Sequence, residues 1–284
     1  MNTPDPGVTL DANGPGDGRR GGRPPADALP APVTEIAAGR PIRLAWENEG
    51  GGRTFEIGSG SGRCFVKWSP HELGIDLTDE AARMSWTAPF TRVPEVLGLG
   101  ADESAAWLIT AALPGRNAVD DRWIAEPGTA IRAIGEGLRA MHEALPAATC
   151  PFSWSAADRV DWAGRAAQGG RIDPASQWNE DHQHLTVAEA LAIVADIPPA
   201  DLLVVCHGDA CAPNTLLTDD GRCSGHVDLG QLGVADRWAD LAVATWSTQW
   251  NYGPGWERPL LDAYGVAPDP GRTRYYRLLW DLGP

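Results

Sequence analysis

The chain has 284 residues, a formal net charge of −15 and 13 tryptophans. This length allows one large domain or two lobes with a substantial core. The negative charge disfavours nucleic acid and anionic membranes as partners and fits a neutral or cationic small molecule. Solubility alone would also account for the negative charge.

No apolar stretch approaches the roughly 20 residues of a membrane span, and the N-terminus lacks the apolar core of a signal peptide. The five cysteines form no Cys-x-x-Cys pair, which is typical of a protein in a reducing compartment. We therefore expect a cytoplasmic protein without a membrane partner. The sequence leaves the oligomeric state open.

In chain order, residues 1–30 come first and are rich in Pro, Gly, Asp and Arg, which predicts a disordered leader. From Ile42 to Trp68, short apolar segments alternate with glycine-containing turns, a pattern typical of a β-meander. The spacing of apolar residues then predicts a helix over 77–87 and two more strands between Val93 and Ala112. These elements predict a β-rich N-terminal lobe over 31–112.

The break at Leu113-Pro114-Gly115 is a candidate hinge, and helical patterns dominate beyond it. The longest of these helical patterns has apolar residues at three- and four-residue spacing. They are Ile131, Ile134, Leu138, Met141 and Leu145. Further helices are expected over 185–197, 236–247 and 273–282. The sequence therefore predicts an α+β fold with a small β-rich lobe (31–112) and a larger helical lobe (113–284).

The loop after the apolar run Leu202–Cys206, a predicted buried strand, carries the strongest functional signal. Asp209 and Asn214 lie five residues apart in it, and Asp228 follows fourteen residues later, after a predicted hairpin. This spacing resembles the H-R-D-x-x-x-x-N and D-F-G motifs of protein kinases. Asp209 fits the group that orients an attacking hydroxyl, and Asn214 and Asp228 fit ligands of Mg²⁺. An ordinary loop with turn-forming Asp and Asn is the alternative.

Lys67 and Glu80 add a second part of such a site. Lys67 lies in a predicted strand after a glycine-rich segment, and Glu80 on the following helix could orient it through an ion pair. A lone strand lysine is more often a solvated surface residue, but its combination with the downstream loop favours a role in nucleotide binding. The backbone N–H groups of Gly51 and Gly52 could approach phosphates, or these glycines could form a plain turn.

Five segments resemble the aminoglycoside 3′-phosphotransferases, and the resemblance extends from Pro41 to the C-terminus. The segments are Asp79–Trp86, Ala148–Phe152, Val205–Asn214, Gly233–Arg237 and Tyr276–Leu279. The resemblance implies a bilobal protein-kinase-like fold, ATP or GTP with Mg²⁺, and transfer of the γ-phosphate to a sugar hydroxyl of an antibiotic. By position it makes Lys67 and Glu80 the phosphate-binding pair and Asp209 the catalytic residue. Asn214 and Asp228 become the metal ligands.

The positions implied to bind the antibiotic depart from the family, which holds polycationic aminoglycosides with carboxylates. One of two paired acids is lost at Asn179 and Glu180, and Gln231 replaces an arginine. The helix after Asp240 carries tryptophans where the family has charged residues. The expected substrate contacts are Trp178, Asn179, Glu180, Cys211, Gln231, Trp246, Trp250, Trp280 and Asp281.

The aromatic replacements suggest a changed substrate. Trp178, Trp246, Trp250, Trp256 and Trp280 fall in segments that line the family's substrate site, although any of them could instead be core. Losing about three charge-assisted hydrogen bonds would cost on the order of 5–9 kcal/mol, whereas stacking on a heterocyclic base contributes about 1–3 kcal/mol. This exchange favours a flatter, less cationic substrate.

Our first hypothesis is therefore phosphorylation of a nucleoside-type antibiotic such as capuramycin, as in the capuramycin phosphotransferases related to the family. The alternatives are an aminoglycoside 3′-phosphotransferase acting on kanamycin or neomycin, a metabolic sugar or amino-alcohol kinase, and a non-catalytic nucleotide-binding pseudokinase.

Overall fold

A computed structural model describes residues 29–48 and 50–283, so the predicted leader lies almost wholly outside the described residues. The N-terminal part contains α1 (Ala31–Ala37), β1 (Ile42–Glu47), β2 (Arg53–Ile57), β3 (Cys64–Pro70), α2 (Leu77–Thr87), β4 (Val96–Ala101) and β5 (Ala105–Ala111). The five strands form one antiparallel sheet in the order β1-β2-β3-β5-β4. The predicted meander, helix and strand pair are confirmed.

Strand β3 lies at the centre of this sheet and alternates its side chains between the two faces. Cys64 and Val66 are buried with α1, whereas Phe65 and Lys67 lie on the opposite face and line a cleft. The alternation therefore fixes the direction of the Lys67 side chain. β3 also has paired strands on both sides, which leaves its backbone little freedom to move.

Helix α2 covers the cleft face of the sheet. Asp76 caps its N-terminus by accepting hydrogen bonds from Thr78 N (2.8 Å) and Asp79 N (3.4 Å). One side of the helix, with Leu77 and Met84, packs into a cluster that also holds residues of the C-terminal part. This packing fixes the rotation of the helix, and with it the position of the buried Glu80.

The C-terminal part is mainly helical. It contains β6 (Arg116–Asn117), α3 (Asp121–Ala125), α4 (Pro127–Ala144), α5 (Ala156–Gln168), α6 (Pro174–Gln177), α7 (Val187–Val194), β7 (Leu203–Cys206), β8 (Thr215–Leu217), β9 (Cys223–His226), β10 (Gly233–Asp236), α8 (Trp238–Tyr252), α9 (Glu257–Tyr264) and α10 (Pro270–Asp281). Helix α8 is buried without interruption over residues 238–248, so it forms the centre of the larger core. The predicted boundary between 112 and 113 stays a prediction.

The predicted strand before the catalytic loop begins later than expected. β7 starts at Leu203, and both Leu202 and Leu203 are exposed, so the expectation of a buried run over 202–206 is wrong for its first two residues. β7 has one partner among the described strands, β10. The expected hairpin is confirmed, with β8 and β9 paired antiparallel. Helix α5 was not predicted, because its buried face consists largely of alanines and gives a weak apolar pattern.

Among the described residues, no helix combines the length and the apolar composition needed to cross a membrane.

The cap of α2 can be tested by comparing two acids of the same turn. Asp76→Ala should lower the free energy of unfolding by about 1 kcal/mol, because two backbone N–H groups lose their acceptor. Asp79→Ala removes an i,i+4 ion pair with Arg83 in which the Asp79 carboxylate is exposed, and should cost less than about 0.5 kcal/mol. Urea denaturation measures both values, and equal losses would contradict the capping role.

Candidate active site

Asp240 on α8 holds the loop from His207 to Asn214 through backbone hydrogen bonds. The Asp240 carboxylate accepts hydrogen bonds from His207 N (2.6 Å) and Gly208 N (3.0 Å). It also pairs with His142 Nε2 (2.9 Å), and the pair is fully enclosed. Burial opposes the charge of Asp240, but its hydrogen bond and electrostatic interaction with His142 outweigh burial and lower the pKa of this carboxyl. The loop is thus anchored to the centre of the core by a charged group.

Gly208 makes the sharp bend of this loop possible. Its φ is +87°, and a Cβ at this position would lie 2.4 Å from the backbone oxygen of Gln231. The bend brings the catalytic loop against the segment that follows Asp228. Any side chain at position 208 would separate the two segments.

Asp209 and Asn214 are joined by hydrogen bonds within the loop. Asn214 Nδ2 donates to Asp209 Oδ2 (2.9 Å) and to Asp209 O (3.0 Å). Asp209 Oδ1 is buried and has no hydrogen-bond partner within the described chain. Burial, and next the Asp228 carboxylate, raise the pKa of Asp209. Asp209 thus lines the cleft with one carboxylate oxygen fixed by Asn214 and with the Cys211 thiol beside the carboxylate.

Lys67 connects the two parts of the molecule. Its Nζ lies 2.8 Å from Glu80 Oε2 and 2.6 Å from Asp228 Oδ1, which is 161 residues away in the sequence. Burial disfavours the lysine charge, but Asp228 and then Glu80 outweigh it and raise the pKa of Lys67 above its ordinary value. Burial raises the pKa of Glu80, whereas the Lys67 ammonium overcomes burial at Asp228 and lowers the pKa there. Lys67 and Asp228 are therefore both charged at neutral pH.

Asp228 has a φ of +63°, an uncommon conformation for a residue with a side chain. Such strained residues concentrate at functional sites, where the surrounding structure holds them in place. Here the strand β9 before it and the buried Leu229 after it hold the backbone. The strain therefore supports a functional role for this carboxylate.

The oxygen atoms of Asn214 and Asp228 fit a bound Mg²⁺. The Asn214 amide nitrogen is committed to Asp209, so its Oδ1 remains for a ligand. Asp228 uses Oδ1 for Lys67, so its Oδ2 remains as well. A carboxylate and an amide oxygen are ligands that this ion prefers. The donor set is consistent with the predicted metal site.

The structure contradicts the predicted phosphate contacts of Gly51 and Gly52. Gly51 N donates to Asn48 O (3.1 Å), and Gly52 N donates to Asn48 Oδ1 (2.6 Å). Both N–H groups are thus used inside the turn, because the Asn48 side chain closes it. Gly52 lines the cleft, whereas Gly51 does not. The plain-turn alternative describes these glycines.

A cleft of about 2400 Å³ unites the remaining features. Lys67, Glu80, Asp209, Asn214 and Asp228 all line it. Four of the predicted substrate contacts line it too, and they are Cys211, Gln231, Trp250 and Trp280. Cys211 and Trp250 pack with Trp280 in one small apolar cluster beside the catalytic loop.

The other two tryptophans of the predicted substrate set are core residues. Trp178 is 2% exposed and belongs to the main core, and Trp246 is 1% exposed beneath Trp250 and Trp280. Trp256 packs half-buried against the main core. Neither Trp178 nor Trp246 lines the cleft, so the expectation that they stack on substrate is wrong. Trp246 instead supports Trp250, with ring centroids 5.1 Å apart.

Asn179, Glu180 and Asp281 also lie away from the cleft surface. Asp281 is buried, where it accepts hydrogen bonds from Asn179 N (3.1 Å) and pairs with His182 Nδ1 (2.6 Å). Burial raises the pKa of Asp281 although His182 opposes this. Glu180 is exposed and does not line the cleft. Asp281 was predicted to contact substrate, but in the structure its carboxylate contacts the His182 side chain inside the protein.

Sequence reasoning missed two tryptophans that line the cleft, Trp154 and Trp162. Trp154 follows Ser153, which bridges to Val234 of β10, and Trp162 lies on α5. Trp154 comes two residues after the family-like segment Ala148–Phe152, but that segment did not point to a cleft position for the tryptophan, and no such segment lies beside Trp162. Only the long-range pairing with β10 and the packing of α5 bring them to the cleft.

A strand lysine paired with a helix glutamate, opposite a loop with Asp209, Asn214 and Asp228, defines a kinase-like phosphotransferase. Known proteins agree with this class. The sequence pattern of the phosphotransferase enzyme family (APH) matches residues 44–276. The chain belongs to this family.

Individual relatives support the same assignment. An aminoglycoside 3′-phosphotransferase of Streptomyces fradiae is 36% identical over 221 residues, which are 74% of this chain and 81% of the relative. The streptomycin 3″-kinase of Streptomyces griseus is 33% identical over 238 residues, 75% and 82% of the two chains. The structure of aminoglycoside phosphotransferase APH(3″)-Id from Streptomyces rimosus superposes with a TM-score of 0.73 at 27% identity, covering 88% of this chain and 94% of that one.

These similarities confirm the predicted α+β, kinase-like fold and the prediction that the protein is a phosphotransferase acting on a hydroxyl group. The prediction of a nucleoside-antibiotic branch is not addressed by them.

Gly208→Ala should abolish most activity, because the new Cβ would displace the catalytic loop from Gln231. A misplacement of about 1 Å can cost on the order of a hundredfold in rate. The matched control is Gly170→Ala, where φ is also positive (+65°) but nothing lies within 4 Å of the added Cβ. The steady-state rates of the two variants test this prediction. A fully active Gly208→Ala enzyme would contradict the close contact between Gly208 and Gln231.

Asp240→Asn should destabilise the protein by about 2 kcal/mol or more, since charge-assisted hydrogen bonds each contribute about 1.5–3 kcal/mol. Because the folded pKa of Asp240 is lowered, its contribution is present above the unfolded value of about 3.9 and is lost as pH falls through the lower folded pKa. The stability gap between wild type and variant should therefore begin to narrow below about pH 5 and close as the pH falls through the lowered folded pKa of Asp240. A gap independent of pH, measured by urea denaturation, would rule out the charged role. Asp262→Asn, in an exposed pair, is the control.

Proposed function

We propose that this protein transfers the γ-phosphoryl group of ATP or GTP, with Mg²⁺, to a sugar hydroxyl of an antibiotic and so confers resistance. One observation carries the proposal, the bridge from Glu80 through Lys67 to Asp228 beside Asp209 in a shared cleft. This arrangement supports phosphoryl transfer because the groups that bind phosphates, metal and acceptor converge there. A solved APH(3″)-Id structure of Streptomyces rimosus, 28% identical with a TM-score of 0.67, contains ADP and streptomycin.

In this proposal Lys67 holds the nucleotide phosphates, and Glu80 keeps its ammonium group in place. Asn214 Oδ1 and Asp228 Oδ2 would hold Mg²⁺, which supplies charge neutralisation at the phosphates. Phosphate oxygens would share the Lys67 ammonium with Glu80 and Asp228, so this partly exposed charge would stay paired when a nucleotide is bound.

Asp209 orients the acceptor hydroxyl and accepts its proton. Its carboxylate would be the acceptor, and Asn214 fixes one of the two oxygens. The raised pKa of Asp209 makes it a better proton acceptor than an ordinary carboxylate once it is ionised. A second oxygen held by Asn214 also fixes the angle of the carboxylate plane.

For the substrate, we favour a nucleoside-type antibiotic such as capuramycin. The cleft wall next to Asp209 is formed by Cys211, Gln231, Trp250 and Trp280, none of which carries a charge. The Asp281 carboxylate is buried, holds His182 through Oδ2 and does not line the cleft. This wall suits a flat, weakly charged ring better than a polyamine. The burial of Trp178 and Trp246 reduces the aromatic surface to fewer rings than the sequence suggested.

An aminoglycoside is the second candidate. It is favoured by the relatives named aminoglycoside 3′-phosphotransferase and streptomycin 3″-kinase. The net charge of −15 would also attract a polycation to the surface.

A panel of acceptors with purified enzyme and labelled ATP or GTP separates the candidates. We expect Mg²⁺-dependent transfer to capuramycin and weak transfer to kanamycin, neomycin and streptomycin. Strong transfer to kanamycin or neomycin with none to a nucleoside antibiotic would establish the second candidate instead.

Asp209→Ala should lower the turnover rate by on the order of 10²–10⁴-fold, the contribution of a positioned acid–base group. Nucleotide affinity, measured by calorimetry, should stay within about twofold, because Asp209 makes no hydrogen bond or ion pair with Lys67 or Glu80 in the described residues. The exposed Asp262→Ala serves as the control. Retained turnover in Asp209→Ala would remove the proposed role of this residue.

A further inference from the structure

Helix α2 is joined to the segment after Asp228 at a second point, apart from the lysine bridge. Arg83 Nε donates a hydrogen bond to Leu232 O (3.0 Å), although the two residues lie 149 positions apart in the sequence. Glu80 and Arg83 are three residues apart on the helix, so they are neighbours on one side of it. The residue that pairs with Lys67 and the residue that holds Leu232 therefore move together.

The segment that receives this hydrogen bond is a short turn directly after Asp228. Leu232 N donates to Leu229 O (3.1 Å), and both leucines are fully buried. Gly230, inside the turn, lies against Glu80, because an added Cβ on this glycine would be 3.8 Å from Glu80 Oε2. The helix thus contacts the turn at two places, and the turn connects directly to the Asp228 backbone.

The Arg83 side chain is fixed on two further sides. Its guanidinium carbon lies 4.8 Å from the centre of the Phe152 ring, and its Nη1 lies 3.4 Å from the Asp79 carboxylate. Phe152 is itself held, because its carbonyl oxygen accepts a hydrogen bond from Val234 N (2.9 Å) of β10. The Arg83 side chain is only 15% exposed, so water weakens its stacking on Phe152 and its bond to Leu232 only a little.

A link between α2 and this turn that does not involve Lys67 has a physical consequence. Glu80 and Asp228 share the Lys67 ammonium, at 2.8 Å and 2.6 Å, and two carboxylates at one cation repel each other. A phosphate oxygen that also shares the ammonium would weaken its hold on both carboxylates. The bond from Arg83 to Leu232 does not depend on the ammonium, so it would still hold the helix against the turn.

We propose that Arg83 is a positioning residue for phosphoryl transfer. By holding α2 on the turn after Asp228, it keeps Glu80 at a fixed distance from Asp228, so that Lys67 stays directed at the nucleotide phosphates. The inference rests on the proposed role of Lys67 in nucleotide binding. It adds a residue that acts only through Glu80.

Arg83→Met tests this role, because methionine keeps an unbranched side chain and removes the donor and the charge. The affinity for the Mg²⁺ complex of ATP or GTP, whichever wild type binds more tightly, should fall about tenfold, the lower value for a hydrogen bond of a charged group. Calorimetry without acceptor measures it. The acceptor KM should change less than about twofold, because within the described residues Arg83 has no hydrogen bond or ion pair with the cleft wall next to Asp209. An unchanged nucleotide affinity would overturn the inference.

Arg83→Gln separates the hydrogen bond from general packing. The glutamine Nε2 lies the same number of bonds from the backbone as the arginine Nε, so it keeps a neutral donor for Leu232 O. This variant should lose only about threefold in nucleotide affinity, because the charge and the stacking on Phe152 are lost but the donor remains. A glutamine variant as weak as the methionine variant would show that the bond to Leu232 is not what matters.

Two control variants remove comparable charges elsewhere. Asp79→Asn removes the ion pair with Arg83 but leaves the bond to Leu232, and Arg139→Met removes an exposed arginine of α4 that pairs with Glu143. Both should bind nucleotide as wild type does. A loss in either variant equal to that of Arg83→Met would overturn the specific role of the Leu232 bond.

A double-mutant cycle with Glu80→Gln tests whether Arg83 acts through Glu80. In the Glu80→Gln background, Arg83→Met should cost less than about twofold in nucleotide affinity, because the carboxylate that it positions is already lost. The same full loss in both backgrounds would overturn the proposed path. Urea denaturation verifies that each variant is folded. Should Arg83→Met not fold, Arg83→Gln takes its place in the cycle, and its smaller loss should likewise disappear.

The failure of the inference and the failure of the proposed function give different results. If wild type binds no Mg²⁺–nucleotide complex, or phosphorylates no antibiotic in the panel, the proposed function fails. If wild type does both and Arg83→Met binds the nucleotide as tightly as wild type, the proposed function stands and the inference is overturned.

Discussion

The ion bridge of Lys67 with Glu80 and Asp228 is the interaction on which the rest of the site depends. It joins a strand, a helix and a loop from the two parts of the chain, at 2.8 Å and 2.6 Å. The Lys67 ammonium is partly withdrawn from water, at 29% exposure, and both carboxylates favour its charged form, so the fold must place both of them correctly. The same requirement brings the nucleotide side of the cleft against Asp209 and Asn214. The stability of the fold and the geometry of the catalytic site therefore both require the same packing of α2 against β3.

A second charged group, Asp240, holds the catalytic loop in position, as Glu80 holds the Lys67 ammonium group. It lies on the fully buried part of α8 and holds two successive backbone N–H groups of the loop. The reactive side chains are thus supported by rigid elements below them, which agrees with the need to hold reacting groups within narrow limits. The substrate end of the cleft is constructed differently. It consists of aromatic and amide side chains from α5, α8, α10 and the segment after Asp228.

The sequence predicted the catalytic part of the site well because its residues occur in short motifs on regular elements. Lys67, Glu80, Asp209, Asn214 and Asp228 all line the cleft as expected. The substrate end was predicted less well. Trp246 and Trp250 lie four residues apart on nearly the same face of α8, and only the depth of packing makes Trp246 core while Trp250 lines the cleft. Trp154 and Trp162 reach the cleft only through pairing with β10 and packing of α5, which no local pattern reveals. The closed turn at Asn48 likewise depends on a side-chain hydrogen bond rather than on glycine content.

The Mg²⁺ dependence of nucleotide binding tests the central claim most directly. Calorimetric titration of ATP or GTP into wild type should show much tighter binding with Mg²⁺ than without it. In Asp228→Asn, where both the lysine pairing and a metal ligand are weakened, most of that dependence should disappear. An Asp228→Asn protein that retains the full Mg²⁺ dependence of wild type would contradict the account.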